Sequence, residues 1–131
     1  MRQLAFRLKS GQLLKEEIEK RTQDINAGVL LSIVGALENV NLRMAGATPD
    51  VQDLRNFSGP FEIVSGTGTI SSDGCHIHIS VADKQGDVIG GHLKDGCRVT
   101  ITVEVVIGVL EGVSFSRVYD GETGFEELDV K

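Results

Sequence analysis

The sequence predicts an α/β fold: a single domain over residues 1–131 with a mixed, mainly antiparallel sheet and one main helix. Three observations carry this. Only Leu13–Asn26 has helical periodicity, about seven or eight other stretches alternate or run apolar like strands, and short glycine-bearing turns join the segments of the second half. With 40% hydrophobic and 24% charged residues, the chain has the make-up of an ordinary globular protein large enough for its own core.

In chain order, Leu4, Phe6 and Leu8 alternate with Gln3, Ala5 and Arg7 as a first strand, broken by Lys9-Ser10-Gly11-Gln12. Leu14, Ile18, Arg21 and Ile25 recur near 3.6 residues, with Glu16, Glu17, Glu19 and Lys20 on a solvated face. Ser10 or Gly11 can cap this helix and Gly28 can stop it. Val29–Leu37 is an unbroken apolar run, read as a strand covered on both faces, with a short helix as the competing assignment. Glu38-Asn39 reads as a turn before a strand at Val40, Leu42 and Met44, and Ala45–Ser58 as a surface loop. Phe61 to Ile70 makes the next strand, in which Ser65-Gly66-Thr67-Gly68-Thr69 signals close packing; no helix follows to aim at a phosphate.

Ser71-Ser72-Asp73-Gly74 is a hairpin turn into the most informative stretch. Cys75, Ile77, Ile79 and Val81 fall on one face of a strand, and His76, His78 and Ser80 on the other. Asp83–Asp87 turns the chain, Val88-Ile89 restart a strand, and Gly90-Gly91 permit close backbone approach before His92. Two imidazoles at i and i+2, roughly 6.6–7 Å apart at Cα, can converge on one cation, and the hairpin returns His92 beside them. Arg98–Gly108 is the strongest strand; Val113 to Arg117 is the last, followed by a tail, Tyr119–Lys131.

A net charge of −6 excludes a generic basic nucleic-acid face, and no run of eighteen apolar residues spans a membrane. Cys75 and Cys97 are expected as reduced thiols in a cytoplasmic protein. Cys75, on the opposite face from His76 and His78, is not expected to join them as a ligand.

Several spaced motifs together resemble the plant and prokaryote conserved (PPC) domain: Gly59–Ile70, His76-x-His78-x-Ser80, Gly90-Gly91-His92-Leu93 and Glu104–Ile107. Arg7–Gly11 and Thr123–Leu128 also fit, so the similarity spans essentially the whole chain. The resemblance implies a homotrimer. It also implies a contact to a protein partner through the segment Gly59–Val64, in particular Gly59, Phe61, Glu62 and Ile63, although Pro60 stands where plant relatives commonly have a basic residue. Plant members carry AT-hooks ahead of the domain; this sequence shows none, and with its acidic charge it is expected not to bind duplex DNA directly.

Two functions follow. The first is a homotrimeric binding or assembly module that holds zinc or another divalent transition metal on His76, His78 and His92 and contacts a protein or small ligand. The alternative is a hydrolase-like enzyme using a zinc-activated water on the three histidines. Glu62 or Glu104 is the expected fourth ligand or supporting residue, and proton competition is expected to weaken the metal below about pH 6.

Overall fold

The structure, a computed structural model, describes residues 1–131 as eight strands and one helix. The strands are β1 (Arg2–Lys9), β2 (Gly28–Arg43), β3 (Leu54–Ser71), β4 (Gly74–Ala82), β5 (Val88–Leu93), β6 (Val99–Val109), β7 (Phe115–Tyr119) and β8 (Glu126–Val130). The helix, α1, spans Leu14–Arg21. Six strands form one sheet in the order β1-β6-β2-β3-β4-β5, and β7-β8 form a separate hairpin. Every strand pairing is antiparallel, so the sheet is not mixed. Short hairpins account for β3–β4, β4–β5 and β7–β8, whose links of two to six residues leave no room for a parallel crossover.

The sheet closes partly on itself. Leu42 and Arg43 of β2 pair with Leu93 and His92 of β5, so β2, β3, β4 and β5 make a small four-stranded barrel. The inward stripes fill it: Ile77, Ile79 and Val81 of β4 join Leu37, Val40, Ile63 and Leu93 in one buried cluster. β6 extends the same core with Val99, Val103, Val105 and Ile107, and α1 adds Leu14 and Ile18.

Several segments differ from expectation for identifiable reasons. Val29–Leu37 and Val40–Met44 are not two strands around a turn. They are parts of the sixteen-residue β2, whose register with β3 shifts between Leu37 and Asn39, the extra residue falling on β3 at Gly59-Pro60. One continuous strand thus meets two sets of partners, β6 on its first half and β5 on its last. β3 begins at Leu54, inside the expected loop, because its pairing with Arg43 and Leu42 rewards a polar segment with ladder hydrogen bonds. The tail holds β8, which pairs along β7.

The helix is shorter than its periodicity suggests and has no side-chain cap at Leu13. Thr22, not Arg21, completes the buried stripe, its hydroxyl donating to the Ile18 carbonyl at 2.8 Å. Gly28 opens β2 rather than ending α1. The acidic face is not simply solvated: Glu19 accepts the Cys75 backbone N–H at 3.0 Å and Glu16 accepts that of Gly96 at 3.0 Å. These two carboxylates dock the helix to the start of β4 and to the turn before β6.

Candidate metal centre

Alternation along β4 turns Ile77 and Ile79 into the barrel and leaves His76 and His78 on its outer surface. The turn to β5 forms as the sequence dictates. The Asp83 carboxylate accepts the N–H groups of Gln85 and Asp87, and Gly86 takes a φ of 85°. The register then puts His92 directly opposite His78. On its other side His92 is paired with Arg43, because β5 is held between β4 and the end of β2. The two glycines before it make this possible. A Cβ at Gly90 would stand 2.8 Å from the Ile79 carbonyl oxygen, and one at Gly91 2.9 Å from that of Arg43.

The three imidazoles offer ligand atoms that all lie within 4.8 Å of one another. Nε2 of His76 and Nε2 of His78 are 3.3 Å apart, and the His92 ring stacks on His76 with 4.7 Å between centroids. Burial, reinforced by the Arg43 and Lys94 cations, pushes His92 down to about 3. Burial also lowers His76, followed by the charge of Arg117, with Glu127 opposing. Both rings are therefore neutral at physiological pH, each with one unprotonated nitrogen able to hold a metal, which in His92 is the Nδ1 that faces Arg43.

Neither expected carboxylate belongs to this group. Glu62 lies near the other end of β3, paired with Ala36 and Ala82, whereas Thr67 is the residue opposite His78. Glu104 sits on β6 between Arg7 and Val34, with two strands, β2 and β3, between it and β4. The acids that do approach come from elsewhere. A cavity of about 540 Å³ over the histidines is lined by Glu19, Asp73, Glu126 and Glu127, and by the cations Lys15, Arg43, Lys94 and Arg117. Arg117, Phe125, Glu126 and Glu127 belong to the β7–β8 hairpin, which is tied over the site where Arg117 donates to Thr69 Oγ1 at 3.0 Å. Arg43 reaches in from β2, its guanidinium donating to His92 Nδ1 at 3.1 Å and lying 5.3 Å from the Phe125 ring centre. Nothing in the local sequence around Arg43 or Arg117 marks them as site residues; only the barrel closure and the folding back of the hairpin bring them in.

The expected partner-contact segment is split by burial. Phe61 and Ile63 are core residues, 5% and 8% exposed, and cannot present a contact surface; Gly59 and Glu62 remain accessible. Period two enforces this, since side chains on alternate positions of a covered strand must face inward.

Neither cysteine joins the three histidines. Burial, reinforced by Glu19, raises Cys75 to about 12, and burial raises Cys97 to about 11.

Known proteins agree with this architecture. Proteins named bifunctional protein GlmU from two Synechococcus strains, JA-3-3Ab and JA-2-3B'a(2-13), are 40% identical over 133 and 128 aligned positions. The alignments take in 100% and 96% of this chain but only 21% and 20% of those proteins, so the chain spans about a fifth of the curated relatives it matches. A Salmonella cholerae-suis protein of known structure superposes with a TM-score of 0.91 at 34% identity, over 99% of this chain and 93% of that one. A metal-containing protein from Archaeoglobus fulgidus matches at TM-score 0.84 and 28% identity, over 97% and 92% of the two chains. A plant- and prokaryote-conserved protein from Pyrococcus horikoshii shares the fold, with a TM-score of 0.86 at 22% identity over 98% and 92%. The sequence model of the Plants and Prokaryotes Conserved domain matches residues 1–111, and the chain belongs to that family.

Proposed function

We propose that this chain is a homotrimeric binding module that holds one divalent transition-metal ion on His76, His78 and His92 and presents it to a small ligand or protein partner. The observation that carries the reading is the convergence of three imidazole donors within 4.8 Å, none of them tied to a carboxylate. Three neutral imidazoles suit zinc and the later first-row ions, and they leave a fourth position for an exchangeable ligand. The Archaeoglobus relative described as metal-containing supports the same assignment.

Assembly is supported by apolar side chains left outside the sheet. The register sets Val34 beside Glu104, and the pairs on either side bring it level with Val64; these valines are 51% and 55% exposed. In the adjoining bulge Ile101 is 73% exposed at a φ of 65°, a strained conformation for a β-branched residue. A second copy of the chain would cover this surface.

Direct binding to duplex DNA is not part of this reading. The four cations near the histidines share their cavity with four carboxylates and form no basic face. Hydrolysis would require a base beside the open position. Glu62 and Glu104 stand elsewhere in the fold, and Glu19, Asp73, Glu126 and Glu127 line the cavity instead, so a hydrolytic role would have to draw on one of these.

Metal analysis of the purified protein tests the proposal. One zinc-like ion per chain is expected, lost in His78→Ala while the domain stays folded, because the core stripe of β4 faces the other way. Equal metal content in the wild type and His78→Ala would falsify it.

A further inference from the structure

The cavity over the histidines has an electrostatic character that the metal reading does not use. Its cations and acids are equal in number, but they are not matched in space. Lys15 is paired with Glu19 at 2.9 Å, and Glu19 is further engaged by the Cys75 N–H. Asp73 accepts the backbone N–H of Arg117 at 3.1 Å, not its guanidinium. Glu126 and Glu127, on the hairpin wall, pair with no cation. That leaves Arg43, Lys94 and Arg117 half-buried without a carboxylate within 4 Å.

The two guanidiniums are the more telling. Each presents five donors in a planar fork that matches a two-oxygen anion. Arg43 spends one contact on His92 and rests on Phe125; Arg117 spends one on Thr69. The remaining donors have no protein acceptor among the hydrogen bonds of the structure, although both side chains are partly withdrawn from water. They also come from separate parts of the chain, Arg43 from β2 and Arg117 from the hairpin, beyond the residues 1–111 that the family model matches. The metal would increase the same imbalance, since three neutral imidazoles do nothing to offset a divalent charge.

We propose that this cavity receives a small oxyanion, a carboxylate or phosphate group, held between Arg43 and Arg117 over the histidine trio, with Lys94 adding to the field. The inference deepens the reading of the histidines as a binding site by giving its ligand a chemical class. In the metal-loaded protein one anionic oxygen can occupy the open fourth position while the guanidiniums hold the others. Charge-assisted, two-pronged bonds of this kind are the strong ones, so removing one arginine should cost about tenfold or more in affinity.

Calorimetric titration tests this with two probes, inorganic phosphate and succinate, each added to the protein as purified and after zinc loading. Saturable binding of at least one probe, one per chain, is expected, and the preferred probe tells phosphate from carboxylate. Arg43→Met and Arg117→Met should each weaken that binding about tenfold or more, and Arg43→Lys should weaken it less because it keeps the charge but loses the fork. Circular dichroism confirms that each variant is folded. No saturable binding of either probe to either form of the wild type overturns the proposal, as do arginine variants that bind like wild type. A wild type that takes up no zinc yet still binds the anion leaves this inference standing and removes the metal reading instead.

Discussion

His92 shows how much a single side chain inherits from its neighbours. It is one residue from a buried leucine, between His78 and Arg43, and burial rather than any one charge sets its low pKa. The folded chain therefore refuses a proton that the unfolded chain accepts below the ordinary histidine value of 6.5. A depressed folded pKa contributes stability that is complete above 6.5 and is lost as pH falls toward about 3; the lowered pKa of His76 acts in the same direction. The urea midpoint of the metal-free protein should fall steadily from about pH 6.5 to 4, and fall less in His92→Gln. A midpoint equally steep in both proteins would show that His92 is not the group responsible. The same shifts move proton competition for these two ligands to lower pH, so metal should persist below the pH 6 expected of free imidazoles.

Strands β3 and β4 show which parts of the fold were legible and why. The alternation of Cys75–Val81 and the two turns around it are local patterns and form as read, whereas the apolar stripe of β6 holds at Val99, Val103, Val105 and Ile107 but breaks at Ile101, which a bulge turns outward. The glycine-rich Ser65–Thr69 was also legible as close packing. A Cβ on Gly68 would collide with the His76 carbonyl oxygen and lie 2.8 Å from Ile77 Cγ1. Gly68→Ala must push β3 and β4 apart at the level of His76, and should cost about 1–3 kcal/mol, read as a lower melting temperature. A variant melting with the wild type would mean that the ladder yields freely. What the sequence concealed is non-local. Glu38-Asn39 has the composition of a turn yet continues a strand, because β5 and β6 claim opposite ends of β2. The approach of Glu127 and Arg117 depends on a hairpin folding over a sheet it does not join, and no period or spacing records that.

For the molecule as a whole, the exposed valines and Ile101 make assembly the property most open to a direct test. If Val34 and Val64 lie in a subunit contact, Val34→Lys places an ammonium where an apolar surface should be covered, and buried unpaired charge is costly. Light scattering should give a trimer for the wild type at micromolar concentration and smaller species for Val34→Lys. A wild type that stays monomeric under those conditions contradicts the trimer. The hairpin matters at this scale as well, because it supplies one wall of the cavity from outside the span matched by the family model.

Because Cys75 neighbours His76 in sequence but faces the barrel interior, the protein keeps sulfur and imidazole on opposite sides of a single strand. Both thiols stay protonated at neutral pH, and only a thiolate competes well for metal ions. Soft cations that favour sulfur thus meet no ionised sulfur partner, while borderline ions meet nitrogen at the surface. A cobalt-substituted protein is therefore expected to take its colour from nitrogen and oxygen ligands, without the intense bands of a thiolate.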